Sequence, residues 1–135
     1  MPRPTNALIV DDEPHVRVFL RLLLKEVGIE TVWEAADGAQ ALAQARLHPP
    51  ELVLLDINLP VMSGLEVLKH LGEMLQGVPV IMVTSQGAMK TVLECVKLGA
   101  RAYILKQSPK AEAVRMLREA LDDDAATADT DEESG

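Results

Sequence analysis

Short apolar runs in this chain end repeatedly on residues able to do chemistry. Asp11-Asp12 follow Ala7–Val10, Asp56 follows Leu52–Leu55, Thr84-Ser85 close the run that begins at Val80, and Lys106 follows Ala102–Leu105. If these runs are strands of one parallel sheet, their ends share an edge and the side chains meet there. Three carboxylates brought that close repel one another unless a proton or a cation intervenes, so a bound metal or raised pKa values are expected. Oxygen ligands without a cluster of His or Cys select Mg²⁺, which keeps several waters and uses one or two carboxylates plus a phosphate. Lys106 and Thr84 would add a compact positive charge and a hydroxyl donor, as the oxygens of a transferring phosphoryl group require. Asp56 is then the candidate nucleophile, because an ionised carboxylate accepts a phosphoryl group without an assisting base. Taken singly, each residue also has a structural reading: Asp12 and Thr84 as helix caps, Asp56 as a turn residue, Lys106 as a solvated lysine. Their shared position at one edge is what favours chemistry.

The elements that must position them follow a β-α alternation, the pattern of an α/β domain. Strands are predicted over Ala7–Val10, Glu30–Ala35, Leu52–Leu55, Val80–Thr84 and Ala102–Leu105, mostly continuous Val, Ile and Leu, as burial on both faces demands. Val16, Leu20, Leu23, Leu24 and Val27 form one stripe of a first helix, with Pro14 near its start and Gly28 past its end. Later helices are expected over Ala39–Leu47, Leu65–Leu75, Ala88–Leu98 and Lys110–Leu121, with Pro49-Pro50 and Gly77-Val78-Pro79 as punctuation. If the strand order is 2-1-3-4-5, the first and third strands are neighbours at a reversal of chain direction, where ligands bind. The expected architecture is a doubly wound, five-stranded parallel sheet with helices on both faces.

Composition narrows the function classes. The 135 residues carry 13 Lys plus Arg against 21 Asp plus Glu, a net charge of −8, which argues against non-specific nucleic-acid binding. That charge is unevenly placed: residues 1–85 sum to −5, residues 86–121 to +4 and residues 122–135 to −7. The last fourteen residues contain no large apolar side chain and are expected to be a disordered acidic tail or linker, leaving residues 1–121 as the domain. No apolar stretch approaches the roughly 18 residues of a membrane helix, and the single Cys95 excludes an internal disulfide and fits a reducing, cytoplasmic setting. His15, His48 and His70 have no ligand spacing.

As a set, Leu8-Ile9-Val10-Asp11-Asp12-Glu13, Leu54-Leu55-Asp56-Ile57-Asn58-Leu59-Pro60-Val61-Met62-Ser63-Gly64, Val83-Thr84-Ser85 and Gly99-Ala100-Arg101-Ala102-Tyr103-Ile104-Leu105-Lys106 resemble the receiver domains of two-component response regulators, from about Asn6 to Leu121. The resemblance implies the flavodoxin-like strand order and Asp56 as phosphoacceptor. It implies Mg²⁺ held by Asp12, Asp56 and the backbone carbonyl of Asn58, with Asp11 reaching it through water. Lys106 would pair with a phosphoryl oxygen, Thr84 would swing in to bond another, and Tyr103 would move between outward and inward positions as the readout. Asn58 and Gln86 would flank the path of the hydrolytic water. One departure stands out: the family usually has proline after the lysine, whereas Gln107 follows Lys106 here. A cis bond costs about 2.5–4 kcal/mol before a non-proline residue, so a trans Lys106-Gln107 bond is expected.

The resulting expectation is a signalling module, not a turnover enzyme. It would take a phosphoryl group from a histidine kinase or phosphotransfer protein and alter its affinity for a downstream protein through the fourth helix, fifth strand and fifth helix. Lys90, Lys97, Arg101, Arg115 and Arg118 on that face suggest an acidic partner, with the acidic tail as a possible internal competitor. No membrane or direct nucleic-acid partner is expected. Alternatives are the receiver portion of a longer regulator whose effector domain is missing and, in another class, a Mg²⁺-dependent phosphohydrolase with an Asp nucleophile. The second wants an acid two residues after the nucleophile, where this chain has Asn58. A flavodoxin-like electron carrier is disfavoured by the acidic loop after the first strand and by an aromatic content of 2%.

Overall fold

The computed structural model describes the backbone of residues 3–85 and 89–134, and the side chains of residues 3–85 and 90–122. The elements are β1 (Asn6–Val10), α1 (Pro14–Glu26), β2 (Thr31–Ala35), α2 (Gly38–Leu47), β3 (Val53–Asp56), α3 (Gly64–Met74), β4 (Val80–Thr84), α4 (Met89–Lys97), β5 (Ala102–Leu105) and α5 (Lys110–Ser134). All strand pairs are parallel, in the order β2-β1-β3-β4-β5. The expected architecture and order are both observed.

Alternation along the strands divides the core into two layers, since successive side chains point to opposite faces. Ala7, Ile9, Leu52, Leu54, Ile81, Val83 and Ile104 pack with Leu20, Leu23 and Leu24 of α1 and with Ala113, Leu117 and Ala120 of α5. Leu8, Val10, Val53, Leu55, Val80 and Met82 pack on the other face with Ala41 of α2, Val67 and Leu71 of α3, and Cys95 of α4. The α1 stripe is buried at Val16, Leu20, Leu23 and Leu24. The helix ends as its sequence predicts: Gly28 takes φ +88°, its N–H bonds the Lys25 carbonyl at 3.0 Å, and Ile29 N–H bonds the Leu24 carbonyl at 2.8 Å.

Several element ends move by one residue from expectation, and two differences matter more. β3 includes Asp56, because the ladder continues past it: Asp56 is in register with Val83, and Ile57 N–H bonds the Val83 carbonyl at 3.1 Å. Asp56 is therefore held as strand, not as loop. The backbone of α5 continues past Leu121 to Ser134, a stretch with neither Pro nor Gly to break it.

The approach of α3 to the end of β3 leaves no room for a side chain at Gly64. A Cβ there would lie 2.3 Å from the Asp56 carbonyl oxygen and 2.7 Å from Ile57 Cα, both backbone atoms. The Gly64 N–H bonds the Ile57 carbonyl at 2.9 Å and closes the loop. Gly64→Ala is expected to cost about 1–3 kcal/mol, the range of overpacking in a tight interior, read as a lowered urea midpoint. An unchanged midpoint would show that the loop yields freely and does not fix Asp56.

Candidate functional site

Backbone hydrogen bonds carry the parallel ladder beyond the last strand residues and so fix the loops at one sheet edge. Asp11 N–H bonds the Ala35 carbonyl at 3.1 Å, and Lys106 N–H bonds the Thr84 carbonyl at 2.8 Å. Among the described residues, the buried polar side chains are Asp11, Asp56 and Thr84, at 0%, 1% and 3% exposure. All three lie at this edge, whereas Asp12 beside them is exposed. One carboxylate oxygen from each of Asp11, Asp12 and Asp56 falls within 4.8 Å of the others.

Lys106 Nζ reaches into the acids, 2.9 Å from Asp11 Oδ2, 3.3 Å from Asp56 Oδ2 and 3.2 Å from Glu13 Oε1. The remaining oxygens are turned to backbone: Asp11 Oδ1 accepts from Glu13 N–H at 2.9 Å and Asp56 Oδ1 from Asn58 N–H at 3.1 Å. Asp11 Oδ2 and Asp56 Oδ2 are buried and accept no well-aligned hydrogen bond, although the ammonium lies within ion-pair distance of both. Two buried carboxylate oxygens with unused lone pairs, beside an exposed third acid, fit a hard divalent cation.

The electrostatics point the same way. Burial, then the neighbouring Asp11 charge, push the Asp56 carboxyl up to about 6, opposed by the Asn58 N–H and by Lys106. Burial works against the Lys106 ammonium, but its contact with Asp11, the charges of Asp56 and Asp11, and Glu13 outweigh that and hold it at about 12. One permanent cation is thus set among four acids, an excess of negative charge.

Glu13, His15, Val16, Phe19, Ile57, Asn58, Thr84, Ser85, Thr91, Lys106 and Gln107 line an open cleft of about 750 Å³. The exposed Asn58, the buried Thr84 and the half-buried Lys106 are therefore brought together. Tyr103 is not among the lining residues. It is half-buried on the sheet face that carries the Leu55 and Met82 core layer. Gln86 lies outside the described residues. The Lys106-Gln107 bond is trans, as expected, and the missing proline does not prevent Lys106 from reaching both buried acids.

Sequence reasoning missed Arg17, Glu34 and Arg21, which tie α1 to β2 beside the acidic loop. A charged residue inside an otherwise apolar strand, Glu34, and an arginine flanking the buried α1 stripe were the available signals.

A carboxyl whose pKa is raised on folding stabilises the fold while protonated, below its ordinary value near 3.9, and loses that contribution as pH rises through about 6. In metal-free solution at pH 8, Asp56→Asn should therefore melt above the wild type, by an increment on the order of 2 kcal/mol that vanishes below pH ~4. Added Mg²⁺ should stabilise the wild type more than the variant. A metal-free wild type more stable than Asp56→Asn at pH 8 would contradict this electrostatic picture.

Comparison with known proteins agrees with the geometry. The family model described as response regulator receiver domain matches residues 7–118. Chemotaxis protein CheY of Bacillus subtilis is 35% identical over 99 residues, 73% of this chain and 82% of that protein. A putative transcriptional regulator of Pseudomonas aeruginosa is 36% identical over 108 residues, 80% of this chain but 52% of the relative, so the chain spans about half of that regulator's length. Among solved structures, CheY4 of Vibrio cholerae has a TM-score of 0.78 at 28% identity, over 87% of this chain and 98% of that one. A chain of the CheX-CheY-BeF3-Mg+2 complex from Borrelia burgdorferi has a TM-score of 0.80 at 29% identity, over 87% of this chain and 89% of that one. A five-stranded sheet in this order, with its buried acids and lysine at one edge and a family match from residue 7 to residue 118, makes the chain a member of the response regulator receiver domain family.

Proposed function

We propose that this receiver takes a phosphoryl group on Asp56 from a histidine kinase or phosphotransfer protein. The observation that carries the reading is the buried Asp56 Oδ2, which accepts no hydrogen bond and lies 3.3 Å from the Lys106 ammonium beside the cleft. In the transfer, a carboxylate oxygen of Asp56 forms a bond to phosphorus while the phosphorus–nitrogen bond of a phosphohistidine breaks, and the released imidazole nitrogen takes up a proton. Asp12, Asp56 and the Asn58 carbonyl would hold Mg²⁺, with Asp11 acting through water. The ion, when bound, supplies charge that offsets the acids and the phosphoryl oxygens.

Lys106 attracts one phosphoryl oxygen, and the Thr84 hydroxyl at the end of β4 bonds another. Phosphorylation adds about −1.5 to −2 charge, enough to draw in Thr84 and shift the chain that follows it. Tyr103 on β5 then changes position as the readout. Asn58, which lines the cleft, flanks the route of the hydrolytic water, and hydrolysis returns the site to its resting state.

The output surface in this reading is α4-β5-α5. Leu93, Val96 and Leu98 are exposed there at 54%, 52% and 41%, beside Lys90 and Lys97. Arg115 is engaged by Glu112 and Glu119, and Arg118 donates to the Glu26 carbonyl, so Lys90 and Lys97 carry more of the attraction to an acidic partner. The described residues contain no helix long and apolar enough to cross a membrane, and a cytoplasmic setting suits the buried thiol of Cys95. A second reading, the receiver portion of a longer regulator, is favoured by the half-length coverage of the transcriptional regulators from Pseudomonas aeruginosa and Mycobacterium tuberculosis. Residues 122–135 would then be its linker.

With acetyl phosphate and Mg²⁺, the wild type should become labelled and Asp56→Asn should not. Thr84→Ala should still be labelled but should lose the change in the Tyr103 ring resonances on phosphorylation. Undiminished labelling of Asp56→Asn would sink the assignment, and an unaltered Tyr103 response in Thr84→Ala would remove the proposed coupling.

A further inference from the structure

We infer that Arg17 is a positioning residue for the acidic site: anchored on Glu34, it sets the peptide between Asp11 and Asp12 from which both carboxylates project. The inference rests on the cation-dependent reading proposed above and extends it to residues outside the cleft. Arg17 uses two donors in two directions. Its Nη1 donates to the Asp11 carbonyl at 2.7 Å, and its Nε donates to Glu34 Oε1 at 2.9 Å. Its side chain is only 19% exposed. Glu34 is held in turn by Arg21, whose Nε donates to Oε2 at 3.1 Å.

The anchor is rigid because Glu34 lies within β2, opposite Ile9 of β1. The next residue, Ala35, accepts the Asp11 N–H at 3.1 Å. β2 and its ion pair therefore grip Asp11 at both its N–H and its C=O. The Asp11 side chain is steadied by the Glu13 N–H at 2.9 Å, which leaves Oδ2 facing Lys106. Because Asp12 is the next residue, rotating the gripped carbonyl would swing the Asp12 carboxylate away from Asp11 and Asp56.

Lysine cannot do the same work. Its ammonium is a point charge on a flexible stem, whereas the guanidinium is a planar fork able to satisfy an acid and a carbonyl together. Partners that orient metal ligands from behind typically change metal affinity by 10–100-fold when removed. Charge alone predicts the opposite sign: deleting a nearby cation should tighten Mg²⁺ binding.

The test is calorimetric titration of the metal-free full chain with MgCl2, with melting in EDTA measured in parallel. Arg17→Met should weaken Mg²⁺ binding about tenfold. Arg17→Lys should weaken it by less despite an unchanged charge, and both should shift the Asp12 and Glu13 amide resonances before Mg²⁺ is added. Equal or tighter binding by Arg17→Met, or full affinity in Arg17→Lys, would overturn the inference. If Arg17→Met does not fold, Arg17→Lys and Glu34→Gln decide it, and unchanged affinity in either overturns it. A wild type that takes up no Mg²⁺ would overturn the proposed function and this inference together, whereas wild-type binding with an unaffected Arg17→Met overturns the inference alone.

Discussion

Asp11 and Asp56 are held side by side, out of water, with one ammonium lying against both. Neither acid could occupy such a place alone without a large desolvation cost, and together they also repel. The fold keeps them there by making each a direct continuation of a central strand. Asp56 is paired as strand, Asp11 is bound through its amide to Ala35, and Lys106 is delivered by the ladder to Thr84. The absence of space at Gly64 and the ion pairs behind Asp11 serve the same end. A site with this much unbalanced negative charge fits a cation, and in the proposed function a phosphoryl group would be accommodated beside it.

Much of this was legible in the sequence because the relevant signals are local. The α1 stripe with its terminal glycine, the five apolar runs and the polar residues closing four of them required only periodicity and the rule that parallel strands share an edge. What was not legible depends on contacts between distant segments. Inclusion of Asp56 in β3 follows from the reach of β4, and the service of Arg17 to Asp11 follows from its pairing with Glu34 on another element. Val61 is a further case. This β-branched residue takes φ +68°, which nothing in Pro60-Val61-Met62 announces. Met62 N–H bonds the Pro60 carbonyl at 2.7 Å, and the turn lets Leu59 and Met62 pack on the core while Val61 faces solvent.

The net charge of −8 also acquires a different meaning once it is placed. Residues 1–121 hold thirteen basic and fourteen acidic side chains and are nearly neutral. Inside that near-neutral body the acids are concentrated at one edge of the sheet, and the basic excess of residues 86–121 lies toward α4 and α5. Phosphorylation would add negative charge at the already acidic edge, and the chain after Thr84 is the covalent route from that edge into α4. An acidic pocket and a mixed basic-apolar face are thus two ends of one short stretch of chain.

The central claim, that Asp56 is the group that takes the phosphoryl, is tested most directly by trapping the acyl phosphate. Treating the phosphorylated chain with borohydride converts a phosphorylated aspartate to homoserine, and peptide mapping by mass spectrometry then reads the position. The account predicts homoserine at position 56 alone, formed with Mg²⁺ and lost when the metal is chelated before the phosphodonor is added. Homoserine at position 11 or 12, or equal conversion at position 56 without Mg²⁺, would contradict it.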